Sequence, residues 1–492
     1  MKIKSNEIAY MKYPAIDYPE ETPFNPPSAC PEYPFKETDS GGANKVYGAL
    51  RELLFSLGLD HENYGKKEWN PFKDIIKPGN SVLIKPNMVL DQHGYGPDWD
   101  IFSVITHPSL VRAVCDYVII ALKGKGKITI GDAPLQSCNF NNLIKKYGYL
   151  SIKEFYASRG VDVDLLDFRL FKSEKVDRLY RPVERKDESD NYIAVDLGQD
   201  SLLNEIAESY LNYRVTNYDP SKMERHHNRE KNEYLIPRAV LNADVIIDMP
   251  KPKPHRKAGI TCAMKNFVGI NGHKDWLPHH RSGCKSDLSD EYLYSNFFKK
   301  IRTRMQETID VLCLGDKIAA AKLVRVLKLP VNIMMKLTSK DRYVEGSWWG
   351  NDTIWRTVCD LNRIALYADK NGVMKPSACR KIFILADMIT SGDEEGPLEP
   401  TPKKVGALAA GFDLLLFDTL ISAVMGFDYK KIPNIIKAYE IKKYPITSHS
   451  PADISIISNT ALNGLKLSGI NADAGEKFRP TKGWEGHIEL DK

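Results

Sequence analysis

Six short apolar runs constrain this chain more than anything else in it. They are SVLIKPN (81–87), KITIGDAP (127–134), VDVDLLDF (161–168), ADVIIDMPKP (243–252), KIFILADM (381–388) and DISIISN (453–459). Each is rich in Val and Ile, shows little strict alternation and ends in a polar turn. That is the pattern of strands covered on both faces. Segments with helical spacing separate several of them. The clearest is 109–122, where Pro108 suits a first-turn position. Strand and helix in alternation predict an α/β fold, a mostly parallel sheet with helices on both faces.

The rest of the chain divides around this frame. Residues 1–44 carry seven prolines before position 35, with Tyr10, Tyr13, Tyr18 and Tyr33 among them. They read as an extended Pro/Tyr-rich arm packed through its aromatics. The α/β core is expected over 45–275, with a charged, irregular insertion at 176–234. A helical insertion follows at 276–370, and a C-terminal α/β part at 371–492. In 311–336, Lys317, Lys322, Arg325 and Lys328 share one broad side of a helix, opposite an apolar side. Such a helix packs on its own core more often than it lies on a membrane surface. Peripheral membrane contact through 311–336 stays open.

Composition excludes several classes. A net charge of +5 over 492 residues, with 42% hydrophobic and 27% charged residues, suits a folded globular chain. It makes no case for a nucleic-acid partner, which needs a clustered basic face. The eight cysteines are scattered, with none within four residues of another. That removes CxxC-type zinc and iron–sulfur spacings and fits a reducing compartment. The N-terminus has no apolar signal-like core, and no apolar run is long enough to span a bilayer. A cytoplasmic location is expected, and the oligomeric state is unspecified.

Ligands of open α/β sheets bind outside the carboxyl ends of the strands. Lys85 and Asn87, Asp132, Asp248 and Asp387 fall at those ends. Each alone is an ordinary turn or cap residue, but together they outline a site. The densest stretch is DMPKPKPHRKAGITCAMKNFVGINGHK (248–274). Pro250, Pro252 and Pro254 stiffen it, and it presents Lys251, Lys253, His255, Arg256 and Lys257, then Lys265 and Asn266. Such a loop can grip a carboxylate or phosphate, with His255 as proton carrier. No GxxxxGK[ST] motif supports a P-loop. On this reading Lys85, Asn87, Lys253 and Asn266 bind substrate, while His255, Lys265 and Asp132 do the chemistry. Asp393 and Glu395 in SGDEEGPLEP, together with His279 or His280, are candidates for a divalent metal. No cofactor is named by the residues themselves.

LIKPN (83–87), THPSLVRAV (106–114), TIGDAP (129–134), residues 243–270, residues 392–418 and MGFD (425–428) run in an order that resembles the domain of unknown function 362 family (DUF362). WGNDTIWRTVCDLNRI (349–364) looks like a branch of it associated with bacterial cell-surface polysaccharide gene clusters. Some relatives carry a ferredoxin-like cysteine insert; this chain lacks it, so an iron–sulfur cluster is not expected. A second similarity is to nickel-pincer lactate racemases. His255-x-x-Ala258-Gly259 with Lys265 resembles their catalytic histidine and cofactor-bearing lysine, and His279 or His280 resembles their nickel ligand. Ala263 and Met264 stand where that family has paired glycines, and Asp132 is nearest to its second catalytic histidine. This implies a shared scaffold rather than a shared cofactor. The functional expectation is an enzyme acting on a small anionic or sugar-like molecule. The alternatives are a racemase or epimerase of the pincer type and a non-catalytic partner of a membrane-associated glycosyltransferase assembly.

Overall fold

The computed structural model describes residues 4–176, 179–184, 190–215 and 220–491. Its centre is an eight-stranded sheet. In chain order the strands are β1 (Glu7–Lys12), β2 (Ser81–Pro86), β3 (Lys127–Asp132), β4 (Val163–Asp167), β5 (Val245–Met249), β6 (Lys381–Asp393), β7 (Thr401–Gly411) and β8 (Ser455–Ser458). Across the sheet they lie in the order β8-β1-β7-β6-β5-β2-β3-β4. Only β7 runs against the rest: it pairs antiparallel with β1 and β6, and every other neighbouring pair is parallel. The fold is α/β around a mostly parallel sheet, and all six apolar runs became its strands.

The weak alternation within those runs has a direct cause. Val82, Ile84, Ile128, Ile130, Val245, Ile247, Phe383 and Leu385 point to one side. There they meet α1 (Lys45–Ser56) through Val46, Leu50, Leu53 and Leu54, and α2 (Pro108–Leu122) through Leu110, Val111, Val114 and Val118. Leu83, Ile246, Ile382, Ile384 and Ala386 point the other way. That side is covered by α6 (Ile354–Tyr367) and α7 (Leu414–Met425). Each fully buried Ile, Leu or Val on either side contributes about 1.5–3 kcal/mol.

The structure corrects two expectations. The N-terminal arm begins with a strand: Ile8, Ala9 and Tyr10 are buried in the sheet between β7 and β8. The prolines that suggested an extended arm start only at Pro14, after β1 has ended. Farther along, Tyr18 stacks on His107 at 4.1 Å. The stretch 176–234, expected to be irregular, carries ordered elements. Tyr192–Asp196 pairs antiparallel with Glu233–Pro237, and a 3-10 segment covers Leu202–Asn212. Residues 177–178, 185–189 and 216–219 of this stretch lie outside the described residues. His227, in the same stretch, is fully buried and bonded to the Trp276 carbonyl at 2.7 Å.

Within 276–370, α4 (Phe297–Leu314) and α5 (Ile318–Thr338) form an outlying pair. By contrast, α6 is core, buried along its length except at Leu366. Among the described residues no helix is long and apolar enough to cross a membrane.

Candidate functional site

The parallel strands deliver Lys85, Asp132 and Asp248 to one sheet edge. Asp248 sits in register with Lys85. The Lys85 ammonium donates to Asp132 Oδ1 at 2.8 Å, and the Met88 amide donates to Oδ2 at 2.8 Å. Both side chains of this pair are nearly or completely buried. Gly269 lies against it: a Cβ there would come within 1.9 Å of Asp132 Oδ1. The backbone must pass this close because the Gly269 carbonyl accepts from the Ala133 amide at 2.8 Å. A glycine is therefore required by contact, not by conformation.

Asn266 continues the network. It closes the short helix α3 (Ala263–Asn266), whose first amides are capped by Asp418 at 2.8 and 3.1 Å. Asn266 donates to Asp248 Oδ1 at 2.8 Å and accepts from Asn87 at 2.7 Å. Asp248 Oδ2 has no hydrogen-bond partner among the described residues. Burial, only partly countered by Lys85, pushes its carboxyl well above the usual carboxylate range.

The alternating prolines turn Lys251 and Lys253 to different partners. Lys251 pairs with Asp387 at 2.7 Å and donates to Tyr18 and the Thr390 carbonyl. Asp387 also accepts from the His107 amide at 2.9 Å, and His107 caps α2. Lys253 donates to the Val104 carbonyl at 2.6 Å and to Asn87 Oδ1 at 3.2 Å. Burial, reinforced by Lys251 and Lys265, holds its amine well below the ordinary lysine value.

Beyond these residues opens a cavity of about 400 Å³. Asn87, Asp132, Lys253, His255, Lys265, Asn266 and His279 line it, so seven of the expected residues meet there. Lys257, Lys274 and Glu345 line it as well. Lys85 stands behind Asp132. A hairpin, Lys253–His255 against Gly259–Thr261, carries the first part of the wall.

The charge in this cavity is one-sided. Asp132 is neutralised by Lys85, and Glu345 pairs with Arg302 at 2.7 Å. Burial lowers the Lys265 amine to about 8, with Lys257 and Lys85 adding to the effect. Lys257 is brought to about 8 by burial against the opposing pull of Glu345. Lys274 is brought to about 7 by burial, opposed by Asp132. Lys265 sits in α3 without a hydrogen-bond or ion-pair partner among the described residues, and it is only partly buried. Amines crowded on one cavity wall make the potential there positive.

The two histidines of the wall carry their protons on opposite ring nitrogens. His255 Nδ1 accepts from the amides of Lys257 and Ala258, both at 3.1 Å. Its proton is therefore on Nε2. His279 Nδ1 lies 2.6 Å from the Leu277 carbonyl, to which it must donate. Its Nε2 therefore carries the lone pair. Burial and the nearby lysines hold both rings well below the usual histidine range, so both are neutral at pH 7. One ring offers a donor and the other an acceptor.

The four residues considered for a metal do not come together. Asp393 accepts from the Arg479 amide at 2.6 Å and from its guanidinium at 2.8 Å. Glu395 accepts from the Lys482 amide at 3.0 Å. The acidic loop thus fastens the C-terminal segment. His280 is buried in a two-residue strand paired with Arg214, and its Nδ1 has no hydrogen-bond partner among the described residues. Among the described residues no group of three or more His, Cys, Asp or Glu could hold a metal ion.

Sequence reasoning gave no role to Lys274 and missed Glu345. Lys274 closes the dense stretch 248–274 and could have been found there. Glu345 comes from a distant segment, and only the fold brings it in.

No curated protein matches the chain. One solved structure, a structural-genomics target from Thermotoga maritima, aligns over 73% of this chain and 54% of its own at 12% identity. The chain spans about half the length of that protein, and the TM-score of 0.29 is too low to carry an argument. A family model does match, over residues 82–423, and it takes in β2 to β7 and every residue named on the cavity wall. The chain belongs to the DUF362 family, a domain of unknown function.

Proposed function

We propose that the chain is an enzyme that moves a proton on a small, hydroxylated anionic substrate, a carboxylate or phosphate of sugar-like character. The observation that carries this reading is the pair of neutral histidines with opposite tautomers on one lysine-lined cavity. Lys253, Lys257, Lys265 and Lys274 would hold the anionic group. His255 Nε2–H would serve as general acid and His279 Nε2 as general base. Asn87 and Asn266, already fixed by Lys253 and Asp248, would orient a hydroxyl. Asp132 would position the wall through Lys85 rather than react.

The test is solvent exchange. A panel of 2-hydroxy carboxylates and sugar phosphates is incubated with the protein in deuterium oxide, and deuterium on carbon is read by mass spectrometry. One substrate class should gain deuterium, and His255→Gln should abolish the gain while leaving the fold intact. Exchange that persists in His255→Gln would remove His255 from the chemistry.

The unpartnered Lys265 amine also favours a second reading, a racemase or epimerase with a group attached to that lysine. This predicts a mass adduct on Lys265 in protein from the native host, and an unmodified Lys265 would count against it.

A further inference from the structure

The α4–α5 pair is built inside out. Its own small core joins Ile309 and Cys313 of α4 to Ala321 of α5, against Leu179. On α5 the inward line is Ala321, Lys328 and Met335, spaced by seven residues and buried. The other side of the helix shows Leu323, Val326, Leu327 and Leu337 to solvent, at 61%, 60%, 54% and 75% exposure. With Pro330 and Met334 they follow the i, i+3, i+4, i+7, i+11, i+14 pattern of one continuous face. An ordinary surface helix puts that face on the protein core. Here the most hydrophobic face is the outermost one, and a contiguous exposed patch of this kind marks a contact site.

Charge selects the occupant. Residues 317–340 hold six basic residues and no Asp or Glu. Lys317, Lys322, Arg325, Lys336 and Lys340 are exposed. Lys322 and Lys336 flank the apolar face, as on helices that lie in a lipid interface. A second copy meeting the first through this face would bring two such clusters of like charge together. An anionic bilayer satisfies both the leucines and the lysines.

We propose that α5 docks the protein on the surface of an anionic membrane, lying in the interface without crossing it. The docking is independent of the chemistry in the cavity.

The experiment is flotation of the full chain with protein-free vesicles. One set is phosphatidylcholine alone, and the other contains about 30 mol % phosphatidylserine. The protein should float with the anionic set and far less with the neutral one. Lys322→Gln with Lys336→Gln should weaken binding roughly fivefold per charge removed, about 25-fold in all. Leu323→Asp with Leu327→Asp, both solvent-facing, should abolish flotation with an unchanged circular-dichroism spectrum. Failure of the unaltered chain to float with either set would overturn the proposal. So would flotation that survives the two aspartates. A dimer in sedimentation that Leu323→Asp dissolves, without flotation, would assign the face to a second copy instead.

Discussion

Replacing Lys85 by Met tests the base of the site. The substitution removes the ammonium 2.8 Å from Asp132 Oδ1 and leaves the carboxylate with the Met88 amide alone. Two charges at that distance attract by about 6 kcal/mol at an effective dielectric constant of ~20. Much of this is offset by the cost of taking both ions out of water, yet stranding one buried partner costs about 3–5 kcal/mol. Asp132→Asn keeps an acceptor for Met88 but strands Lys85, and should cost a similar amount. The double variant Lys85→Met/Asp132→Asn strands no charge. Its loss should fall short of the sum of the two single losses by about 2 kcal/mol or more. Urea denaturation of the four proteins, followed by tryptophan fluorescence, measures the cycle. Strictly additive losses, or a Lys85→Met cost under about 1 kcal/mol, would refute the buried pair as the prop of the site.

Two further outcomes follow from the same geometry. Gly269→Ala pushes a methyl into Asp132 Oδ1 and should destabilise by about 1–3 kcal/mol in urea denaturation, with weaker anion binding; an unchanged midpoint would contradict the close approach. Stability should also depend on pH with a definite sign. Lys257 and Lys265 near 8 and Lys274 near 7 lie below the unfolded lysine value, so the unfolded chain binds more protons between about pH 7 and 10.5. Stability should rise across that window, by about 1.4 kcal/mol per pH unit for each such amine. The Asp418 carboxyl, raised to about 7, acts with the opposite sign and below the window. Urea midpoints at about pH 7.5 and 9.5 check the slope, and Lys265→Met should flatten it.

The strands were legible because burial on both faces leaves a simple mark: Val82-Leu83-Ile84 and Ile246-Ile247 are apolar at every step. The two strands that were missed lack that mark. Strand β7 opens with Thr401-Pro402-Lys403-Lys404 and then runs through Ala and Gly, and β1 is short and followed by prolines. Both are recognised by their neighbours rather than by their own composition. The convergence of Lys85, Asp132 and Asp248 was legible for the same reason the sheet was, since parallel strands carry their ends to one edge.

The acidic loop was misread because Asp393 and Glu395 carry no sign in sequence of partners 86 and 87 residues on. Tautomers were beyond reach as well. They depend on the carbonyl of Leu277 and the amides of Lys257 and Ala258, which only the folded backbone orients. The amphipathic character of α5 was legible, but whether its apolar face meets the core or solvent was left open, because periodicity reports a face and not what covers it.

The proposed function requires a cavity that takes an anion among partly deprotonated lysines. Calorimetric titration with inorganic phosphate at pH 8, in two buffers of different ionisation enthalpy, tests this most directly. Saturable binding is expected, with a Kd below about 1 mM. Net proton uptake should accompany it, as the anion restores charge to Lys257, Lys265 and Lys274, with both effects reduced in Lys265→Met. Binding without proton uptake, or no phosphate binding at all, would contradict it.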